Sequence, residues 1–145
     1  MTQTLGADLL SVVARINRLA TQRARLPLPY AQARLLSTIE DQGPTRISDL
    51  AALDHCSQPT MTTQVRRLED GGFVSRTVDP GDARAVLIQI TPKGVETLRQ
   101  VRLDRGAAVD PYLERLDATD RETLAEAVRV LRGLLADASA PTTAK

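Results

Sequence analysis

The sequence predicts a mainly α-helical protein that carries a single two-stranded β-hairpin. Two observations predict it. Along most of the chain, apolar residues recur at spacings of three and four, which is the period of an amphipathic helix. The pattern changes once, to strict alternation in Val86, Ile88 and Ile90, and the turn residues Asp79–Asp82 separate this stretch from an apolar run at Phe73–Val78.

Three helices are predicted in the first third of the chain. Pro29 suits the first position of the second helix, which runs to about Asp41 and stops before Gly43. A short third helix spans Ile47–Leu53, with Ile47, Leu50, Ala51 and Leu53 as its apolar set. The first helix has an apolar stripe that fades at Thr21, and the stripe consists of Leu5, Leu9, Val12, Ile16 and Leu19.

A fourth helix follows a turn at Asp54-His55-Cys56. Ser57 is a favourable N-cap, Pro59 is tolerated in the first turn, and the helix ends at Gly71-Gly72. Its buried face is predicted to consist of Met61, Val65 and Leu68, which are spaced by four and three residues.

Two more helices follow the hairpin. Thr91 and Pro92 suit the N-cap and first position of the fifth helix, and Pro111 is expected to kink or break it. A capping box at Thr119–Glu122 predicts the start of the last helix. That helix carries a second apolar stripe of Leu124, Val128, Leu131 and Leu135.

Two short helices followed by a hairpin describe a winged helix-turn-helix. The two stripes lie at opposite ends of the chain and are not needed to bury its centre, so they are interpreted as dimerisation faces. The predicted division is 1–27 and 93–138 for dimerisation helices, 28–92 for a winged DNA-binding region and 139–145 for a disordered tail.

Composition limits the function. The chain has 145 residues, enough for one domain with helical extensions, and its net charge of +1 excludes a strongly basic protein that wraps nucleic acid. One Cys and one His exclude an intramolecular disulfide and a Cys/His zinc site, so no metal or cofactor is predicted. The sequence has no membrane-spanning run and no signal peptide, and we expect a cytoplasmic protein.

The fourth helix is the predicted recognition helix, because the side opposite its apolar face carries groups that bind bases and phosphates. An Arg near the hairpin tip can enter a minor groove, with the carboxylate of Asp82 orienting its guanidinium. The predicted DNA-binding residues are Ser57, Gln58, Pro59, Thr60, Thr63, Arg66, Arg67, Asp82 and Arg84.

Residues 47–94 resemble the MarR family of bacterial transcription regulators. The matching positions are Leu50-Ala51, Ser57, Thr60, Leu68-Glu69, Gly72, Arg76, Asp79-Pro80, Asp82, Arg84 and Thr91-Pro92-Lys93-Gly94. With the flanking helices the resemblance covers about 5–138. It implies a homodimer that binds a pseudo-palindromic operator on double-stranded DNA, often as a repressor controlled by a small aromatic acid or phenol.

The sequence departs from the family at two points. Thr63 stands where the family often has Arg, so base preference is expected to differ. Residues 44–91 contain five Arg against six Asp and Glu, so a basic surface must arise from placement and not from net charge.

Some residues have more than one interpretation. Cys56 is either a small core residue or an oxidant sensor at a helix N-terminus, and His55 is either its assistant or a surface turn residue. Tyr30 and Tyr112 either pack in the core or line an effector cavity. An enzyme is excluded because no phosphate-binding, dinucleotide or metal motif is present. A winged helix used only for protein contacts remains an alternative.

Overall fold

A computed structural model of the chain describes residues 3–140, and it confirms the predicted order of elements. The elements are α1 Leu5–Arg23, α2 Tyr30–Gln42, α3 Ile47–Leu53, α4 Gln58–Asp70, β1 Val74–Asp79, β2 Asp82–Ile90, α5 Pro92–Leu113 and α6 Ala118–Ser139. The chain divides into two compact units, one ending at Ala108 and one beginning at Val109. The predicted division into dimerisation and DNA-binding regions stays a prediction.

The starts of α1 and α2 follow from their caps. The Thr4 hydroxyl accepts a hydrogen bond from the Ala7 N–H at 3.2 Å and begins α1. Pro29 is the N-cap of α2 and not its first helical residue, which corrects the sequence-based prediction. Its backbone is extended, with ψ at 141°, and its carbonyl accepts the N–H of Ala33 at 3.0 Å.

The core of the first unit is built by α2, α3, α4, the hairpin and α5. The predicted apolar face of α4 is confirmed, since Met61, Val65 and Leu68 are all buried. Leu53 is half exposed and does not join the apolar set of α3, because it lies on nearly the opposite side of the helix from the buried Ala51. The buried cluster contains Leu28, Ala33, Leu35, Leu36, Ile39, Leu50, Ala51, Met61, Val65, Leu68, Val74, Ile88, Leu98 and Val101.

The hairpin pairs β1 and β2 in antiparallel register, with Val74 opposite Ile90. Val78 pairs with Val86 but Asp79 pairs with Asp82, so residues 83–85 form a bulge that has no partner on β1. The turn is therefore Pro80-Gly81, shorter than the predicted four residues. An isolated bridge between Thr45 and Ile88 fastens the hairpin to the segment before α3.

The last two helices differ from the sequence-based predictions at their ends. Helix α5 continues through Pro111 to Leu113, so the proline does not break it. The N-cap of α6 is Asp117 and not Thr119, since the Asp117 carboxylate accepts the N–H of Asp120 at 2.8 Å. Ser139 is still helical, and residues 141–145 of the predicted tail lie outside the described residues.

Candidate nucleic-acid interface

Local capping fixes the start of α4. The Ser57 hydroxyl accepts the Thr60 N–H at 3.2 Å, as the sequence predicts for an N-cap, and donates to the Thr60 hydroxyl oxygen at 2.8 Å. Pro59 lies in the first turn, where its missing N–H costs no helical hydrogen bond. The free N–H groups of this helix start are typical partners for a phosphate.

One side of α4 is exposed, because its apolar side is fixed in the core. The exposed side chains include Gln58, Pro59, Thr60, Thr63, Arg66 and Arg67. The Thr63 hydroxyl donates to the carbonyl of Pro59 at 3.2 Å and keeps its lone pairs free to accept. Among the described residues, Arg66 and Arg67 form no ion pair. Asp70 lies on the same exposed side, at the C-terminal end of the helix.

Arg84 lies in the bulge of β2 and is exposed. Asp82 does not orient its guanidinium, which corrects the sequence-based prediction. The Asp82 carboxylate instead accepts the backbone N–H of Arg84 at 3.0 Å, because an Asp side chain reaches its own chain two residues on more readily than a flexible Arg head. Within residues 3–140 the Arg84 guanidinium forms no ion pair.

An ion pair between Arg46 and Asp79 holds the hairpin tip, and no local sequence pattern indicates it. Arg46 donates to Asp79 Oδ2 from Nε at 3.2 Å and from Nη2 at 2.6 Å, and Asp79 Oδ1 accepts the Gly81 N–H at 2.9 Å. The hydrogen bond from Arg46 is the main reason that the pKa of Asp79 lies below its usual value. From the sequence, Asp79 is interpreted only as a turn residue, because its ion-pair partner is 33 residues away.

A second ion pair joins α4 to the hairpin. The Arg76 Nε donates to Glu69 Oε2 at 2.7 Å. Both residues belong to the matching positions of the family resemblance, but the sequence did not indicate that they pair. The pair fixes the last turn of α4 against β1.

The two candidate effector tyrosines have different surroundings. Tyr30 lines a cleft of about 190 Å³ between α1, α2 and α5. Its hydroxyl oxygen accepts from Asn17 Nδ2 at 3.0 Å, and the Arg105 guanidinium lies 4.8 Å from its ring centre. Tyr112 belongs to the second unit and is more than one-third exposed, with Arg115 over its ring at 5.5 Å.

The apolar stripes of α1 and α6 are largely exposed on the single chain. In α1, Leu5 is 84% and Val12 53% exposed, and Ile16 is also exposed while Leu9 is half-buried. Helix α6 has no buried residue at all, and Leu135 is 62% exposed. Leu124 and Val128 are exposed and Leu131 is half-buried, and Leu124 and Val128 also line a cavity of about 440 Å³ inside the second unit.

Cys56 is half-buried and packs against the core. His55 is exposed and adopts a left-handed backbone conformation with φ at 52°, which turns the chain between α3 and α4. In the part of the chain that the structure describes, no cluster of His, Cys, Asp and Glu could hold a metal ion. None of the helices in that part is long and apolar enough to cross a membrane.

Comparison with known proteins points to one family. A model described as the MarR family matches residues 28–86, the segment that holds α2, α3, α4 and most of the hairpin. Over this segment the chain is similar to the MarR family. The MarR family consists of transcriptional regulators and not of enzymes, in agreement with the exclusion drawn from the sequence.

Proteins similar to this chain include regulators from several bacteria. An HTH-type transcriptional regulator of Mycobacterium tuberculosis is 29% identical over 132 residues, which cover 90% of this chain and 92% of the relative. The transcriptional regulator Tm0710 of Thermotoga maritima has a solved structure with a TM-score of 0.70 and 26% identity, covering 90% of this chain and 95% of that one. A mutant MarR of E. coli, solved with operator DNA, has a TM-score of 0.59 and 24% identity over 88% of this chain and 92% of that one.

Proposed function

We propose that the protein is a ligand-responsive repressor, which binds a pseudo-palindromic operator in double-stranded DNA as a homodimer. The exposed side of α4 carries the proposal, because Thr63, Arg66 and Arg67 lie there with no competing ion pair among the described residues. A recognition helix presents such donors to base edges in the major groove. A regulator of this kind acts in the cytoplasm, where bacterial DNA lies.

The wing supplies the second contact in this proposal. Arg84 projects from a bulge whose N-terminal end is held by the Arg46–Asp79 ion pair and by the Asp82 carboxylate. A guanidinium in this position suits the minor groove, where negative potential attracts Arg. The wing therefore adds affinity, while α4 supplies most of the sequence preference.

The dimer is proposed from the exposed stripes. Leu5, Leu9, Val12 and Ile16 on α1, and Leu124, Val128, Leu131 and Leu135 on α6, form apolar rows of the kind that mark a protein–protein interface. A two-fold dimer would place two copies of α4 about one DNA turn apart, roughly 34–36 Å, in line with a palindromic site.

The cleft beside Tyr30 is the proposed effector site. Its apolar side is formed by Ala33, Leu98 and Val101, and Arg105 provides positive charge. Arg102 also lines the cleft, but its guanidinium is paired with Glu40 at 2.8 Å. At about 190 Å³ it is smaller than most drug-binding pockets, so it suits a single-ring acid whose carboxylate binds an Arg. Binding would shift the population between forms with different spacings of α4.

The effector proposal is tested by titrating salicylate-like acids into a DNA-binding assay. We expect weakened operator binding at millimolar acid, and a smaller effect for Tyr30→Ala, which removes the ring under Arg105. If no small aromatic acid weakens binding at that concentration, the proposed effector class is wrong.

DNA binding is tested by selecting genomic fragments and then measuring affinity at two salt concentrations. Thr63→Ala or Arg67→Ala should cost about 1–3 kcal/mol on the selected operator and less on point-mutated operators. Arg84→Ala should weaken binding to all sites alike and make the salt slope shallower by about one. Arg99→Ala is the control, because Arg99 is exposed on α5 and already paired with Glu96.

Two outcomes would contradict the DNA-binding proposal. Failure of the wild type to select any fragment would favour the winged helix as a protein-interaction module. Full sequence preference in the Thr63 and Arg67 variants would show that α4 does not read the bases.

A further inference from the structure

The C-terminal end of α4 is fastened to the first turn of α5 by hydrogen bonds that involve none of the proposed DNA-binding residues. We call this connection the α4–α5 joint. It brings together two segments that are about twenty residues apart in sequence, namely Gly71-Gly72-Phe73 after α4 and Thr91-Pro92-Lys93-Gly94 at the start of α5.

The Lys93 side chain spans the joint from α5 to the end of α4. Its ammonium group donates to the carbonyl oxygen of Gly71 at 2.7 Å and lies 5.0 Å from the centre of the Phe73 ring. Gly71 is the C-cap of α4, where helix carbonyls lack partners along the helix. A cation on this carbonyl also interacts favourably with the negative end of the helix dipole.

Thr91 adds a second bond from the same turn. Its hydroxyl donates to the carbonyl oxygen of Gly72 at 2.7 Å and accepts the N–H of Gly94 at 3.1 Å. Its own N–H donates to the Phe73 carbonyl at 3.0 Å. One threonine therefore caps α5 and holds the chain that leaves α4.

Close packing leaves this joint little room to move. A Cβ atom on Gly94 would clash with the Phe73 carbonyl and would lie 2.6 Å from a side-chain carbon of Ile90. Gly72 has φ at +78°, which glycine adopts without strain. The backbone of the joint is thus held by close packing as well as by the hydrogen bonds of Thr91 and Lys93.

We propose that Lys93 and Thr91 are positioning residues for DNA recognition, which they serve by holding the C-terminal end of α4 on α5. The inference rests on the proposed function, since it concerns how α4 meets base edges. The same helix α5 contributes Leu98, Arg102 and Arg105 to the effector cleft. In this proposal, a ligand that shifted α5 would also shift the end of α4, because Lys93 and Thr91 join the two helices.

The experiment compares binding to the selected operator with binding to a scrambled duplex, at two salt concentrations. Lys93→Met removes the ammonium and keeps an aliphatic stem against Phe73, whereas Thr91→Val removes the hydroxyl without changing charge. Each variant should lose about tenfold of its preference for operator over scrambled DNA, because misaligned base contacts cost specific binding only. The salt slope should stay that of the wild type, and Lys93→Arg should restore most of the preference.

The control is Arg99→Met, which removes one cation from α5 at a side chain paired with Glu96. It should keep the wild-type preference. Equal weakening of both duplexes with a shallower slope for Lys93→Met would mean that Lys93 contacts phosphate, and would overturn the inference. Unchanged preference in both Lys93→Met and Thr91→Val would also overturn it. If the wild type selects no DNA, the proposed function fails first and the inference fails with it.

Discussion

Apolar residues are buried in the winged region but exposed on the terminal helix α6. In the winged region Leu36, Ile39 and Leu50 are fully buried within the first unit. Helix α6 has a stripe with the same helical spacing, yet it buries no residue. An amphipathic pattern thus indicates that a face will be covered, but not by what.

The same apolar pattern in the sequence therefore marks two kinds of helix face, one covered within the chain and one that is not. The apolar face of α4 is covered by contacts within one chain, since α3, β1 and α2 pack against this helix. The stripes of α1 and α6 are not satisfied within the described chain, so their covering requires a further surface. Variants in the buried core and variants in the exposed stripes should therefore behave differently.

The largest effect is expected from a charge in the α6 stripe. Leu131→Asp would place an unpaired carboxylate in the proposed dimer interface, at a cost of about 3–5 kcal/mol. We expect dissociation or unfolding, measured by sedimentation. Gly133→Asp is the control, because its side chain would face open space on the opposite side of α6. A dimeric Leu131→Asp protein with normal DNA binding would show that the stripe is not the interface.

A core truncation should come next. Leu36→Ala removes a fully buried side chain and should lower the free energy of unfolding by about 2–5 kcal/mol. Urea denaturation measures this change. Leu135→Ala provides the contrast, because its cost should depend on protein concentration if folding and association are coupled. A concentration-independent cost at Leu135 would contradict the assignment of that residue to a dimer face.

A smaller and pH-dependent effect is expected at the hairpin tip. The Arg46 hydrogen bond lowers the pKa of Asp79, so the pair stabilises the folded state above the unfolded Asp pKa of about 3.9. That contribution is lost as the pH falls through the lower folded-state value. Arg46→Gln should therefore lower the Tm at pH 7, and the difference from wild type should shrink below about pH 4.

The control for this pair is Arg99→Gln, which breaks the exposed Arg99–Glu96 pair on α5. Exposed pairs within one helix contribute little. It should change the Tm less than Arg46→Gln at pH 7. A pH-independent difference for Arg46→Gln would mean that the stabilisation comes from the Arg46 side chain and not from its pairing with Asp79.

The smallest effect is expected at Cys56. Cys56→Ser should cost no more than about 1 kcal/mol and should keep operator binding, because Cys56 is only half-buried and packs at the edge of the core. Mild peroxide should have little effect on DNA binding by the wild type. Loss of binding in peroxide that disappears in the Ser variant would instead identify Cys56 as an oxidant sensor.

Local signals predicted most of the fold and failed at long range. The bounds of α3 and the apolar face of α4 follow from spacing and capping, which act within a few residues. The Arg46–Asp79 and Lys93–Gly71 contacts join residues that are 33 and 22 positions apart, so no spacing rule indicates them. The cap of α6 was misplaced because Asp117 and Thr119 are both good N-caps and local preference does not choose between them.

The sequence predicts which side chains of α4 are exposed, but not the hydrogen-bond partners around the candidate interface. The side of α4 that carries Thr63 and Arg67 is exposed as its helical period requires. The role of Asp82 was wrong because an Asp has two nearby donors, a side chain and a backbone N–H, and sequence cannot rank them. The α4–α5 joint was represented only as cap residues, since its carbonyl partners leave no mark in the sequence.

Because residues 83–85 form a bulge without partners on β1, the length of the wing tip can vary without a change in the register of the strands. Pairing resumes at Val78 and Val86, so Ile88 reaches the core whatever happens beyond that pair. Residues added to or deleted from the tip would change how far Arg84 extends without shifting any side chain to the other face of the hairpin. The reach of this wing can therefore change while the domain beneath it stays constant.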